Sequence, residues 1–226
     1  VNNLEKTEEL LLLIYNNNRF NYIANKVPQV INLILFYDSQ KNFKQSNYFL
    51  NILRTYSEQS ALYKPVYKEY LCSSLILQER YQDVLNHIND KSHKYFIFAH
   101  FYLGNFKTIK PSLIAHLKDS SKTNLDYAIY NLLLLIIDIK ENGIVTKDNL
   151  KHFLYKFSKA KNTALYEILR QFIEALEIIN SLNRQDKKSI NSKLEKDIKK
   201  LAYNERLFFK HLSIYKIFKL ISNSFD

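Results

Sequence analysis

Two glycines and three prolines in 226 residues constrain this chain more than any other feature of it. Turns that need φ > 0 usually take glycine, and sheet proteins use many such turns. A chain this long with so few breakers reads as all helix, joined by short polar loops. The same scarcity removes Gly-rich phosphate loops and nucleotide fingerprints, which Gly104 and Gly143 alone cannot build. Hydrophobic residues make up 46% of the chain, so it belongs with globular rather than disordered sequences. The 17 Tyr and 15 Phe suit thick helix-on-helix packing.

Apolar residues recur three and four apart throughout, which is the helical signature. The spacing predicts a helix over 4–17, a short one from near Phe20 that stops before Pro28, and another over 28–37 with Pro28 in its first turn. Helices follow over 43–56, over 65–77 behind Pro65, and over 81–88. Ser92 is the expected N-cap of a helix ending at Gly104, where glycine fits the C′ position. Pro111 falls in the first turns of a helix over 107–117. Thr123 opens the longest apolar helix and Gly143 ends it. The core of that helix, 128–139, is interrupted by Asn131 and Asp138 and reads as buried, well short of the ~20 apolar residues a membrane span needs. Thr146 caps a helix to Phe157, and Thr163 precedes one reaching about Leu182. The run 183–188 is the clearest polar break. It divides a helical array over 1–182 from two amphipathic helices, 189–201 and 204–222, that pack on it.

About a dozen short helices in succession suggest stacked hairpins, and a repeat is visible at their turns. Glu79-Arg80-Tyr81 with Val84 aligns with Gly104-Asn105-Phe106 with Ile109. Asn18-Arg19-Phe20 with Ile23 and Lys41-Asn42-Phe43 with Ser46 echo the same pattern. Each is a helix end, a polar pair, an aromatic, and a residue three later that must fit a close helix crossing. This turn resembles that of the tetratricopeptide repeat, and Ala99-His100-Phe101-Tyr102-Leu103-Gly104-Asn105-Phe106 is its best match, over about half the chain. The aromatic spacings of 23, 38 and 25 residues depart from the steady period of about 34 in that family. Val84 and Ile109 stand where a small residue is usual, and the closing proline is absent. The resemblance implies a right-handed superhelix of antiparallel hairpins, with two C-terminal amphipathic helices as its cap. An irregular helical bundle is the competing architecture.

Local catalytic signatures do not occur. No His-Glu-x-x-His, cysteine–histidine zinc spacing, nucleophile elbow or Walker loop exists, and His93 and His100 lie two helical turns apart, too far to share a metal directly. Neither a catalytic residue, a metal ligand nor a cofactor is expected. Cys72, the single cysteine, sits between Leu71 and Leu75 as a buried, inert thiol, and a lone cysteine points to a reducing, cytoplasmic compartment. The chain contains no methionine, the initiator included, which reads as an excised or processed form. Its first residues lack the basic-then-apolar order of a signal peptide.

Two groups of residues remain as binding candidates. Asn131, one turn after Tyr127, interrupts the most apolar helix, and a buried amide there must be satisfied by a neighbouring helix or a ligand backbone. Tyr166, Arg170 and Glu174 make one ridge, and His100 lies in the repeat-like segment. On the inner helices of a solenoid, His100, Tyr127, Asn131, Tyr166 and Arg170 could hold an extended peptide; internal hydrogen bonds and an i,i+4 salt bridge are the plainer reading. The second group is basic. Residues 183–226 carry eleven Lys/Arg against five Asp/Glu, which places +6 of the net +11 there. Lys193, Lys196, Lys199 and Lys200 surround the apolar stripe Ile190, Leu194, Ile198 and Leu201. Lys210 is expected on the outside of the last helix, whose inward face would be Leu207, Phe208, Leu212, Tyr215, Phe218 and Ile221.

Tetratricopeptide-like arrays commonly grip a peptide or partner protein, so the resemblance implies a non-enzymatic binding module, the ligand-sensing or scaffold part of a regulator. In size and format the chain is similar to the C-terminal repeat domains of peptide-pheromone-sensing transcription regulators. The rival reading is a nucleic-acid-binding helical protein that uses the lysines of 187–219 on phosphate backbones. A third, a helical-repeat enzyme such as a base-excision glycosylase, would require an aromatic-lined basic cleft with an acid inside it.

Overall fold

A computed structural model describes residues 2–17, 22–118, 124–142, 164–179, 181–201 and 209–222. Among them every regular element is a helix. In chain order these are α1 (Asn2–Asn16), α2 (Ile23–Ser39), α3 (Phe43–Gln59), α4 (Lys64–Leu77), α5 (Tyr81–His87), α6 (Lys94–Tyr102), α7 (Phe106–Lys118), α8 (Asn124–Asn142), α9 (Ala164–Ile178), α10 (Arg184–Lys200) and α11 (Ile214–Ile221). The all-helical expectation therefore holds for the described chain. No described helix is long and apolar enough to cross a membrane. The helix expected from Thr146 to Phe157 lies outside the described residues, as do Thr123, Gly143 and the turn at Asn18-Arg19-Phe20.

The chain divides into two compact units, Val1–Asn89 and Asp90–Asp226. In the first, neighbours in sequence are neighbours in space: α1 packs on α2, α2 on α3, α3 on α4 and α4 on α5. Its core is Val27, Val30, Leu33, Ile34 and Tyr37 of α2 against Phe49, Leu50 and Leu53 of α3, with Leu11, Leu12 and Tyr15 of α1 at the margin. The Tyr37 and Phe49 rings stack at 5.7 Å, and the Tyr37 hydroxyl donates to Glu8 Oε1 at 2.7 Å. In the second unit α6 is apolar almost all round, and Phe96, Ile97, Phe98, Ala99 and Phe101 are buried. Helix α7 packs on α6 and α8, while α11 meets α8, α9 and α10. Phe172 of α9 and Phe218 of α11 approach to 5.5 Å between ring centres.

Three helix ends share one geometry. Lys41, Glu79 and Gly104 have φ of 55°, 64° and 74°. At each, the residue's own N–H donates to the carbonyl three back (Asp38, Ile76, Phe101) at 3.0–3.1 Å, and the next N–H donates to the carbonyl five back (Tyr37, Leu75, His100) at 2.9 Å. This is the Schellman cap, which satisfies the last carbonyls of a helix through one left-handed residue. The next helix begins directly with the aromatic Phe43, Tyr81 or Phe106. The residues three further on, Ser46, Val84 and Ile109, are all buried. The sequence echo thus marks three equal turns.

Four element boundaries differ from expectation. Pro28 does not start a helix; it lies inside α2, and Pro111 likewise lies inside α7. Each is the sixth residue of its helix, so the single lost hydrogen bond falls on the carbonyl of Ala24 or Lys107, both at exposed residues of the first turn. Ser92 is not the cap of α6. His93 takes that place through Nδ1, which accepts from the Tyr95 N–H, while Ser92 bonds Asp90 with both its N–H and its hydroxyl. The polar run 183–188 is no break but the start of α10, because Asn183 caps it by accepting from the Asp186 N–H at 2.9 Å, and Asp186 favours the first turn. Finally, no continuous helix spans 204–222. The chain turns over 209–213, and α11 starts afresh with Ser213 as its cap. That restart changes the helical phase. Leu212, Phe218 and Ile221 are buried as expected, but Tyr215 is exposed and Ile214 and Ile217 take the inner face. Leu207 and Phe208 lie outside the described residues.

Candidate functional site

Helix α7 presents two contrasting faces. Ile109, Leu113 and His116 point inward. The His116 ring stacks on Tyr130 of α8 at 4.8 Å, and its Nε2 lies 2.7 Å from the Ser92 carbonyl oxygen. These contacts fix the rotation of α7 and turn Lys107, Pro111, Ile114 and Lys118 outward at i, i+4, i+7 and i+11. There, with Lys110, Ala115 and Glu141 of α8, they line an open groove of about 590 Å³. Its floor is apolar. Ile114 remains 44% exposed, uncovered by any part of the described chain.

The groove's three lysines are not equivalent. Lys110 Nζ donates to Asp138 Oδ1 at 3.0 Å and to Glu141 Oε2 at 2.9 Å, both on α8. Those bonds raise its proton affinity, Glu141 contributing most, and keep it charged. Lys107 and Lys118 have no carboxylate partner among the described residues. They stand about 16 Å apart along the helix axis, at 1.5 Å per residue, one at each end of the apolar floor. The arrangement can take an apolar side chain at Ile114 and Pro111 with an anionic group at either end.

The residues picked out from sequence lie elsewhere. His100 is on α6, where Asn105 Nδ2 lies 3.1 Å from its Nδ1 and Phe96 packs edge-on at 4.3 Å. Burial holds its imidazole below the usual range, and its carbonyl serves the Gly104 cap. Asn131 is half-buried on α8, and Tyr166 half-buried on α9. The backbone of Tyr127 belongs to α8, but its side chain is outside the described set. Arg170 is held along its own helix by Glu167 on one side and by Glu174, at 2.5 Å, on the other. This pairing raises the guanidinium's proton affinity and pulls the Glu167 carboxyl down to about 2. The structure therefore seats His100, Asn131 and Arg170 on three different helices. The bonds of His100 to Asn105 and of Arg170 to Glu167 and Glu174 are all local.

Of the basic group, Lys193, Lys196, Lys199 and Lys200 are exposed on α10, whereas Lys210 is half-buried in the turn before α11. Lys187, whose neighbours in sequence are all polar, is buried, with Nζ donating to the Ser222 hydroxyl at 2.8 Å. Cys72 is buried as expected, and burial pushes its thiol up to about 11. Among the described residues no three His, Cys, Asp or Glu side chains are grouped to hold a metal.

Sequence reading did not select the groove. The spacing of Lys107, Pro111, Ile114 and Lys118 was available as a signal, because it is a helical stripe of mixed character. The pairing of Lys110 with Asp138 and Glu141 arises only when α7 meets α8. No protein-family model, curated protein or solved structure matches the chain.

Proposed function

We propose that this chain is a non-enzymatic helical-repeat module that binds a peptide segment of a partner protein in the α7–α8 groove. The carrying observation is the combination of an uncovered apolar floor at Ile114 and Pro111 with Lys107 and Lys118 at its two ends. Grooves of this form accept the apolar face of a helix or an extended segment, while charges at the rim select partner and orientation. The fitting ligand has an apolar anchor between acidic residues. The three equal Schellman turns support reading the hairpins as a divergent array of tetratricopeptide type, an architecture whose usual work is such binding. A sensing or scaffolding role in a regulator is the context this reading favours.

Panning a random peptide library against the whole chain tests the proposal. The selected sequences are expected to place Asp or Glu on both sides of one or two large apolar residues, and to be lost against Ile114→Asp. Selection of basic sequences, or of none, would overturn it.

A further inference from the structure

Helix α10 has a face that its own fold does not use. Its inner side is Leu194 and Lys187, both buried, with Ile190 and Ile198 half-buried beside them. The opposite side, read from the 100° step of the helix, carries Lys196 at its centre, with Lys193, Lys199 and Lys200 around it and Ser189 and Ser192 between them. All of these are exposed. The acidic residues fall on the flanks, Asp186 and Asp197 to one side and Glu195 to the other. Asp197 engages Lys200 at 2.7 Å, whereas Lys193, Lys196 and Lys199 have no salt bridge among the described residues, although the charge of Lys193 is felt by Glu167 of α9 and by Asp197.

Folding explains only part of this face: Lys193 with Asp197 and Glu195 with Lys199 are favourable i,i+4 pairs, but Lys196 has no acidic residue three or four positions away. Lys199 and Lys200 suit the last turn, where cations oppose the negative end of the helix dipole. Lys193 and Lys196 lie mid-helix and gain nothing from it. Lys193–Lys196, Lys196–Lys199 and Lys196–Lys200 are like-charge pairs at i,i+3 and i,i+4, and such pairs destabilise a helix. The field they make reaches the neighbouring acids: the Asp197 carboxyl is held below its usual range, first by the Lys200 bond and then by the charges of Lys200, Lys193 and Lys196.

We infer that Lys193, Lys196 and Lys199 form a second, sequence-independent binding surface for the phosphate backbone of a nucleic acid. The lysines advance along the axis in steps of about 4.5 Å and form a row of positive charge, which a densely charged phosphate backbone can neutralise whatever its sequence. An anionic membrane is the poorer fit, because an interfacial helix buries an apolar face in lipid, and that of α10 is already committed to the protein core. The surface is on a different helix from the groove and does not depend on it.

The test is fluorescence anisotropy of the whole chain with a labelled random-sequence duplex of about 20 base pairs, long enough to span α10 at 3.4 Å per step. Neutralising three phosphates gives a log–log salt slope of about −2.7, or roughly a 40-fold loss of affinity between 50 and 200 mM salt. The triple variant Lys193→Gln, Lys196→Gln, Lys199→Gln should lose the binding and its slope while keeping its circular dichroism. A charge-matched control, Lys44→Gln with Lys64→Gln and Lys68→Gln at exposed lysines of the first unit, should leave both unchanged, which separates this surface from the overall positive charge of the chain. Equal binding by the triple variant, no binding at 50 mM salt, or capture by phosphatidylserine vesicles in place of the duplex would overturn the inference.

Discussion

Lys41, Glu79 and Gly104 do the same work with different side chains. Each adopts the left-handed conformation that closes a Schellman cap, although only Gly104 does so without a Cβ penalty. Glu79→Gly and Lys41→Gly are therefore expected to stabilise the chain by ~0.5–1 kcal/mol each, the relief of left-handed strain less the added chain entropy of glycine. Gly104→Ala should destabilise it by ~1 kcal/mol, through conformation alone, since nothing lies within 4 Å of the added Cβ. Urea titrations of the three variants check both signs. The role of Gly104 was legible in the sequence because glycine announces it. Those of Lys41 and Glu79 were legible only as echoes of position, since neither residue favours positive φ.

His211 gives a residue-scale prediction in pH. Its ring lies between Tyr95 and Phe98, at 5.4 and 5.6 Å, while its carbonyl accepts from the Tyr102 hydroxyl. Burial, with the charges of Lys210 and Lys94, pushes its pKa down to about 3. Between that value and the ordinary 6.5 of an exposed histidine, the unfolded chain binds a proton that the folded chain refuses. Stability should then fall as pH drops through this window, by up to about 1.4 kcal/mol per pH unit from this group. Denaturant midpoints measured from pH 7 to pH 4.5 should fall less steeply in His211→Gln than in the parent; parallel curves would contradict the assignment. A histidine seven residues before Phe218 carries no sign of such burial, which comes from α6.

At the scale of elements, a polar cluster ties three helices of the first unit. Asp38 Oδ1 on α2 accepts from Ser46 Oγ of α3 at 2.7 Å and from Ser74 Oγ of α4 at 2.8 Å. Gln78 Nε2 extends the chain, donating to Ser74 Oγ and to Asn47 Oδ1 at 3.0 Å. Asp38, Ser46 and Ser74 are all buried, so Asp38→Ala would remove the shared acceptor of two hydroxyls that are shielded from water. A loss of about 2–4 kcal/mol is expected by chemical denaturation, whereas Ser39→Ala, exposed one residue later, should change little. Helix starts were legible where one residue decides them: Pro65 opens α4 as its position requires. They were misread where two signals compete. A proline six residues into a helix removes one bond near its end and is absorbed, and a run of charged residues after Asn183 is a first turn, not a linker. The turn over 209–213 has no breaker in its sequence. Its anchor is Tyr102, whose hydroxyl bonds the His211 carbonyl and the Ser213 N–H from over a hundred residues away.

At the scale of the molecule, the helical class followed from what the chain lacks, since two glycines cannot supply the turns of a sheet protein. The groove did not follow. Its lysines, its isoleucine and its buried face are ordinary in α7 taken alone, and become a rimmed groove only when His116 stacks on Tyr130 and Lys110 locks to Asp138 and Glu141. We propose that this groove takes an acidic segment with an apolar anchor. The measurement that bears on it most directly is a pair of anisotropy titrations at low salt with labelled peptides of about a dozen residues. One carries glutamates at both ends around a central leucine pair, the other lysines at the same places. Saturable binding is expected of the acidic peptide alone, about tenfold weaker with Lys107→Glu and Lys118→Glu together, which corresponds to about 1.4 kcal/mol, and unchanged with the triple glutamine variant of α10. Equal affinity for both peptides, or an acidic peptide that binds the charge-reversed groove as tightly as the parent, would contradict it.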